Sequence, residues 1–315
     1  MFFSENELQN FAKPLSQTET ERCKHAISMV RDALKDQGFA SGEIQRIADQ
    51  DAAFKVQLTK GSSESVTIFV QGSFANNTNV KTHSDVDIAV INEALFRTKY
   101  RAGVTDSNYG FVTSAITARQ FKDEVQVALE AKFDGDVVRG NKSIKINGNS
   151  YRVDADVVPA LRYRDYSNDW RNDESNYERG IVIVPDHGGA IINYPEQHIE
   201  LGRKKNIATN RYYKKIVRIA KKMRILMEDN GCSSAKKVSS FFIESLIWNV
   251  PNSYFTKYSS LKYIFEGIVE YLKQSKTQLS QFKEANGIKA LCAESTTIEE
   301  AARFIDDLSF FYNYI

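Results

Sequence analysis

Few of the residues that staple or metallate a fold occur in this chain: its 315 residues include 3 cysteines and 4 histidines. Cys23, Cys232 and Cys292 stand far apart, with neither the close spacing of a zinc site nor that of a dithiol redox motif. Each is expected to be a small buried hydrophobe in a reducing compartment. His25, His83, His187 and His198 form no HxH or HxxxH pair, which argues against zinc chemistry. No uncharged apolar run of about 18 residues occurs, so no membrane partner is expected. The opening MFFSENELQNFAK has acids where a secretory signal needs a basic start and an apolar core, and a cytoplasmic location is the expectation. An excess of one charge is missing too, since 42 Lys and Arg against 40 Asp and Glu leave a formal net charge of +2. That balance argues against obligate coating of long nucleic acid, while local basic patches remain open. Internal repeats and low-complexity tracts are absent.

What is present is ordinary globular material, 42% apolar and 26% charged, and long enough for one large or two intimately packed domains. Residues 5 to about 37 read as helix, with Ile27, Val30 and Leu34 at helical spacing and Gly38 past the end. Residues 43–60 carry neither period clearly, 66 to about 91 read as two strands, and 114–133 as helix. Around Asn147-Gly148-Asn149, residues 144–158 form two alternating runs, a hairpin signal. Residues 165–180 are polar and loop-like, and 181–184 and 190–193 read as short strands. Past a break at Tyr194-Pro195 the chain reads as helical to its end, interrupted at Gly231 and Pro251. The expectation is an α+β chain with a mixed β-sheet and N-terminal helix over 1–195, a helical lobe over 196–315, and a cleft between them.

The chemistry concentrates in QGSFANNTNVKTHSDVDIAV, residues 71–90. Side chains of a strand alternate faces, so Asp85 and Asp87 point one way and Val86, Ile88 and Val90 the other. At roughly 6 to 7 Å and an effective dielectric near 20, the two carboxylates repel by on the order of 2.5 kcal/mol. A divalent hard cation shared with substrate phosphates would offset that. Gly72-Ser73 ends the preceding β-rich run, where a glycine lets phosphate approach the backbone and a serine hydroxyl can hold its oxygens. A third carboxylate comes from the returning run, where Arg152, Asp154, Asp156 and Val158 share a face and parity leaves Asp154 and Asp156 both open. Pro159 is expected to end that strand close to Asp156.

Between Glu200 and Glu228 ten Lys and Arg occur without an acid, either a solvated face or a site for an anionic partner. Tyr213, Ile216, Val217, Ala220, Met223 and Met227 form its apolar stripe, flanked by Lys221. The aromatic run Phe241, Phe242, Trp248, Tyr254, Phe255 and Tyr258 reads as core rather than as a base-stacking platform.

Gly-Ser, a loop, an hDhDh strand and a distant third Asp resemble the polymerase-β-type nucleotidyltransferase superfamily. More closely, the chain resembles the cGAS/DncV-like nucleotidyltransferases (CD-NTases) of bacterial antiviral signalling. Gly72-Ser73, His83-Ser84-Asp85-Val86-Asp87, Asp156-Val157-Val158-Pro159-Ala160 and Ile192-Asn193-Tyr194-Pro195-Glu196-Gln197-His198 carry that match, over roughly residues 20–250. The resemblance implies a polymerase-β-like core with its active site in the cleft. It makes Asp85, Asp87 and Asp156 the ligands of two Mg²⁺ ions, with Mn²⁺ as an alternative. Asp156 is preferred to Asp154 because the family's third Asp stands directly before Val-Val-Pro-Ala. Lys221 and Ser240 match the family's triphosphate-binding lysine and serine, with Lys222 and Ser239 as competing registers. The implied activity joins nucleoside triphosphates into a cyclic di- or oligonucleotide second messenger and releases pyrophosphate in anti-phage (CBASS-type) signalling, under a regulatory protein or ligand. Two alternatives stand beside it: nucleotidyl transfer to an RNA, protein or small-molecule acceptor, and nucleotide binding without catalysis.

Overall fold

The structure is a computed structural model describing residues 3–46, 54–60, 64–80, 85–114, 116–293 and 296–314. The chain divides into a sheet unit, Ser16–Ala75 with Ser84–Glu196, and a helical unit, Met1–Leu15 with Asn76–His83 and Gln197–Ile315. The boundary expected between 195 and 196 lies beside the observed one, and the helical unit also takes two segments from earlier in the chain.

The expected N-terminal helix is two helices. α1 (Glu5–Phe11) and α2 (Gln17–Lys35) each begin with a capping box, Ser4 with Glu7 and Ser16 with Glu19. A Ser side chain that satisfies the backbone of a new first turn marks a start, and Pro14 between the helices cannot donate to either.

In the sheet unit, β1 (Ala40–Arg46), β2 (Phe54–Lys60), β3 (Glu64–Gln71) and β4 (Val86–Tyr100) pair antiparallel in succession. A short helical turn, α3 (Gly72–Ala75), follows β3, and α4 (Ala118–Phe133) follows β4. β5 (Val137–Arg139) and β6 (Ile144–Ile146) lead into β7 (Ala155–Tyr166), then β8 (Glu178–Ile183) and β9 (Ile191–Asn193). The order is β1-β2-β3-β4-β7-β6-β5, with β8 on β7 and β9 on β8, and among the described residues the β4–β7 pair alone is parallel. Across β3, β4 and β7, Val70, Ile88 and Val157 stand in register and fully buried, as do Ile68 and Val90. Leu34 of α2 and Phe121 and Val125 of α4 line one cavity with Val66 and Val90, so this is the face the two helices cover. Each such side chain contributes roughly 1.5–3 kcal/mol on burial.

Two expectations about β7 are corrected. It does pair with β6 antiparallel, Ile144 opposite Val157, but it starts at Ala155 rather than directly after the turn. The Asp154 carboxylate accepts from Gly148 N at 2.6 Å, and Asn149 N donates to the Arg152 carbonyl at 2.9 Å, so the intervening residues close a loop of their own. Pro159 does not end the strand, which runs on to Tyr166 beside β4. On its other edge β6 stops at Val157 and β8 begins at Leu161, and a proline is tolerated where an edge lacks a partner strand. β4 likewise extends past the expected end near 91, through an irregularity at Asn92, whose side chain accepts from Ala94 N and Leu95 N.

The helical unit contains α1, α5 (Pro195–Ala208), α6 (Tyr212–Asp229), α7 (Ser240–Trp248), α8 (Asn252–Thr256), α9 (Leu261–Gln274) and α10 (Ile298–Tyr314). Its core gathers Leu8, Tyr213, Ile216, Met223, Phe255, Phe265 and Phe304. The Glu5 carboxylate of α1 caps α9, accepting from Ser260 Oγ, Leu261 N and Lys262 N at 2.7, 3.0 and 2.9 Å. The basic helix is in fact two, since Asn210 and Arg211 take positive φ, 51° and 65°, and break the run between α5 and α6. Among the described residues no helix is long and apolar enough to cross a membrane.

Candidate active site

β3 delivers the chain to Gly72, which has φ +69°. A Cβ there would lie 1.9 Å from Asp87 Oδ2 and 2.8 Å from Asp87 Cγ. No residue but glycine lets the Asp87 carboxylate rest against the turn, whatever the cost of φ. Ser73 follows half-buried in α3.

Asp87 is opposite Gln71 on β3 and opposite Asp156 on β7. Residues in register on parallel neighbours point to the same face, about 4.8 Å apart in backbone spacing. Val86 N donates to the Asp154 carbonyl at 3.1 Å, which closes the first rung of the parallel pair. Asp85 stands just before that rung, exposed and with the parity of Asp87. Three carboxylates thus come to one sheet edge from two adjacent strands.

The electrostatics separate Asp156 from Asp154, which parity could not. Burial and then the charge of Asp85 push the Asp156 carboxyl above its ordinary range, opposed by Lys145 and by the Ser143 hydroxyl 3.5 Å away. Asp154 is held low, by Lys145 at 2.8 Å and by the Gly148 amide. Arg152 pairs with Asp136 at 2.5 Å and lies over the Phe133 ring, rather than pairing with either of them.

Among the described residues no three His, Cys, Asp or Glu side chains are drawn together closely enough to hold a metal ion by themselves. The three aspartates form an open, oxygen-only edge instead, the kind of donor set a hard divalent cation completes with phosphate oxygens and water. The repulsion between Asp85 and Asp156 is the term such a cation would relieve, so the residues fit Mg²⁺ or Mn²⁺. His83 and Ser84 of the expected motif lie outside the described residues.

In the helical unit, Lys221 is buried, with Nζ 2.8 Å from Glu244 Oε2 and 3.0 Å from Thr78 Oγ1. Lys222 is half-buried. Ser239, not Ser240, caps α7, accepting from Phe242 N at 3.0 Å, and Ser240 is the exposed first residue of the helix. Of the aromatic run, Phe242 and Phe255 are core as expected, whereas Phe241 and Tyr258 are exposed at 39% and 43%. Sequence reasoning missed Lys145 and Ser143, which the register of β6 on β7 would have revealed by setting Lys145 opposite Asp156. It also missed Glu244, a lone acid inside the apolar stretch SFFIESLIW.

This arrangement, a Gly-Ser turn against a DxD strand with a third Asp on the parallel neighbour, is that of the polymerase-β-type nucleotidyltransferases. Residues 200–313 match the model of the cGAS/DncV-like nucleotidyltransferase C-terminal helical domain. A cyclic GMP-AMP synthase, CdnE03 of Staphylococcus schleiferi, is 42% identical over 317 aligned positions, spanning 100% of this chain and 98% of the relative. The structure of Rhodothermus marinus CdnE c-UMP-AMP synthase with Apcpp and Upnpp superposes with a TM-score of 0.81 at 28% identity, over 98% of this chain and 96% of that one. That of Elizabethkingia meningoseptica CdnE cyclic dinucleotide synthase with GTP and Apcpp gives 0.75 at 30% identity, over 99% and 100%. The chain belongs to the cGAS/DncV-like nucleotidyltransferase family.

Proposed function

We propose that this protein condenses nucleoside triphosphates into a cyclic dinucleotide or short cyclic oligonucleotide, releasing pyrophosphate, as a second-messenger synthase of bacterial antiviral signalling. The observation that carries the reading is the register of Asp87 with Asp156, with Asp85 on the same face and Gly72 under the Asp87 carboxylate. The names of the full-length relatives support it.

In each round a ribose hydroxyl oxygen of one nucleotide attacks the α-phosphorus of another. The new P–O bond forms as the bond to the β-phosphate breaks, and pyrophosphate leaves; a second attack within the linear product closes the ring. To Asp156, whose carboxyl is raised by burial and by Asp85, we assign acceptance of the hydroxyl proton. Asp85, Asp87 and Asp156 would hold two Mg²⁺ ions, or Mn²⁺, which would supply charge stabilisation to the triphosphate and the leaving pyrophosphate. Gly72 leaves room for phosphate at the backbone and Ser73 offers a hydroxyl. For Ser240 we keep the triphosphate contact that the resemblance implies. Lys221, with its ammonium on Glu244 and Thr78, is given no phosphate.

The relatives' names pair different bases, so the test supplies all four. The protein is incubated with labelled ribonucleoside triphosphates and Mg²⁺, and products are identified by mass. A cyclic product formed from triphosphates alone is expected, and it decides against transfer to a separate acceptor. Dependence on an added RNA, protein or small-molecule acceptor would overturn the reading.

A further inference from the structure

The chain leaves the sheet unit at Ala75, directly after the Gly72-Ser73 turn, and returns at Ser84, directly before Asp85. The segment between belongs to the helical unit, and three of its polar side chains, Asn76, Thr78 and Asn79, are buried, while Asn77 between them is exposed. Thr78 Oγ1 donates to Glu244 Oε2 at 2.7 Å and accepts from Lys221 Nζ at 3.0 Å. The same Glu244 oxygen holds Lys221 Nζ at 2.8 Å, while its other oxygen lies 2.9 Å from His198 Nε2. The Asn76 side-chain amide approaches the His198 ring at 3.3 Å, and Arg218 bonds the Asn77 carbonyl and, at 2.6 Å, that of Ala12. Three helices, α5, α6 and α7, thus each send a buried polar side chain to a stretch of four residues. Burial pushes the Glu244 carboxyl up, but Lys221 and His198 outweigh it and hold it well below the usual carboxylate range. The cluster is therefore charged and internally matched, with an outlet in Thr78.

We infer that Glu244, with Lys221 and His198, is a positioning residue for nucleotidyl transfer: it fixes Thr78, and so constrains the two ends of the segment from which the phosphate-binding turn and the metal-binding strand depart. A matched cluster that only stabilised helices would have no need of a partner on this segment. Thr78 lies six residues after Gly72 and seven before Asp85. A displacement of its backbone is passed to one or both motifs, where errors of about 1 Å cost on the order of 10²-fold in rate. The inference rests on the transferase reading above.

The test uses the full chain, with the Thr78→Val, Thr78→Ser and Glu244→Gln variants, the four triphosphates and Mg²⁺. Thr78→Val leaves the Lys221–Glu244 pair in place and removes only the link. It is expected to lower kcat for pyrophosphate release about 30-fold, with KM changed by less than about threefold, and to speed hydrogen exchange selectively over residues 74–80. Thr78→Ser restores both readouts, and Glu244→Gln reproduces the loss. Native kcat and native exchange in Thr78→Val overturn the inference. So does exchange that rises equally through α9 and α10, since the cluster is then scaffold alone. If Asp87→Asn loses activity while Thr78→Val keeps it, the inference fails and the transferase reading stands. If the native protein releases no pyrophosphate from any triphosphate pair, the transferase reading fails, and with it the positioning of a transfer site.

Discussion

The sheet unit gathers Asp85, Asp87 and Asp156 on one edge, where burial and the charge of Asp85 drive the Asp156 carboxyl up. The helical unit buries Glu244 more deeply, at 1% exposure, yet its carboxyl is held down because Lys221, His198 and Thr78 meet its two oxygens. Burial alone does not distinguish a working charge from a structural one. The sign of the imbalance does: like charges gathered at a sheet edge call for a cation and a polyanionic substrate, while a matched cluster fixes backbone.

The comparison breaks most sharply if the sheet-edge aspartates are neutralised. Asp87→Asn or Asp156→Asn is expected to cut pyrophosphate release by at least about 10³-fold, since charge stabilisation at a transferring phosphoryl group is of that order. Asp156→Asn should also raise Tm, because it removes a carboxylate that burial and the charge of Asp85 disfavour in the folded chain without substrate. A melting curve beside the activity assay checks both.

Neutralising the matched cluster should do the reverse to stability. Glu244→Leu alone strands the Lys221 ammonium and should cost about 3–5 kcal/mol in urea unfolding, whereas Glu244→Leu with Lys221→Met should recover most of it. Additive losses in the double variant would mean that the two charges are not coupled.

Gly72→Ala tests the steric side of the sheet-edge site. The added Cβ would meet Asp87 Oδ2 at 1.9 Å and take φ +69°, so the carboxylate must move. Roughly 1–3 kcal/mol of destabilisation is expected. A fall in kcat of about 10²-fold, measured in the presence of saturating triphosphates, accompanies it.

The smallest effect belongs to a helical-unit charge whose burial outweighs its surroundings. Burial pulls the Lys214 ammonium down to about 8, against about 10.4 when unfolded. Between those values the unfolded chain keeps a proton that the native state has released, so this group makes stability rise with pH, by at most about 1.4 kcal/mol per unit. Lys205, also drawn down by burial to about 8, acts in the same direction. Lys214→Met should flatten, without abolishing, the slope of urea-unfolding free energy between pH 8 and pH 10; an unchanged slope would exclude Lys214 as a source.

Much of the fold was legible because period and punctuation are local. The helix over 118–133, the strands about Gly72 and Asp87, and the short strands near 181 and 191 follow from alternation, capping and turn residues. The errors arose where a neighbour overrode a local signal. Pro159 reads as a strand end until β6 and β8 are seen to leave a gap beside it, and Asn147-Gly148-Asn149 reads as a tight hairpin until Asp154 is seen to cap its loop. Lys221 read as a cation at the margin of an apolar stripe because nothing within α6 announces Glu244 on α7.

By itself the sequence determined Asp85 and Asp87, a third acid at either 154 or 156, the glycine before them and the helical character of the second half, since each depends on residue type and near-neighbour spacing. Tertiary structure decided that Asp156 rather than Asp154 joins Asp87, that Lys145 stands opposite Asp156, and that Asn76, Thr78 and Asn79 are buried in the helical unit. Those choices depend on strand register and on partners distant in sequence, for Thr78 more than a hundred residues away, and the Coulomb and desolvation energies that sort one carboxylate from another exist only once such partners have met.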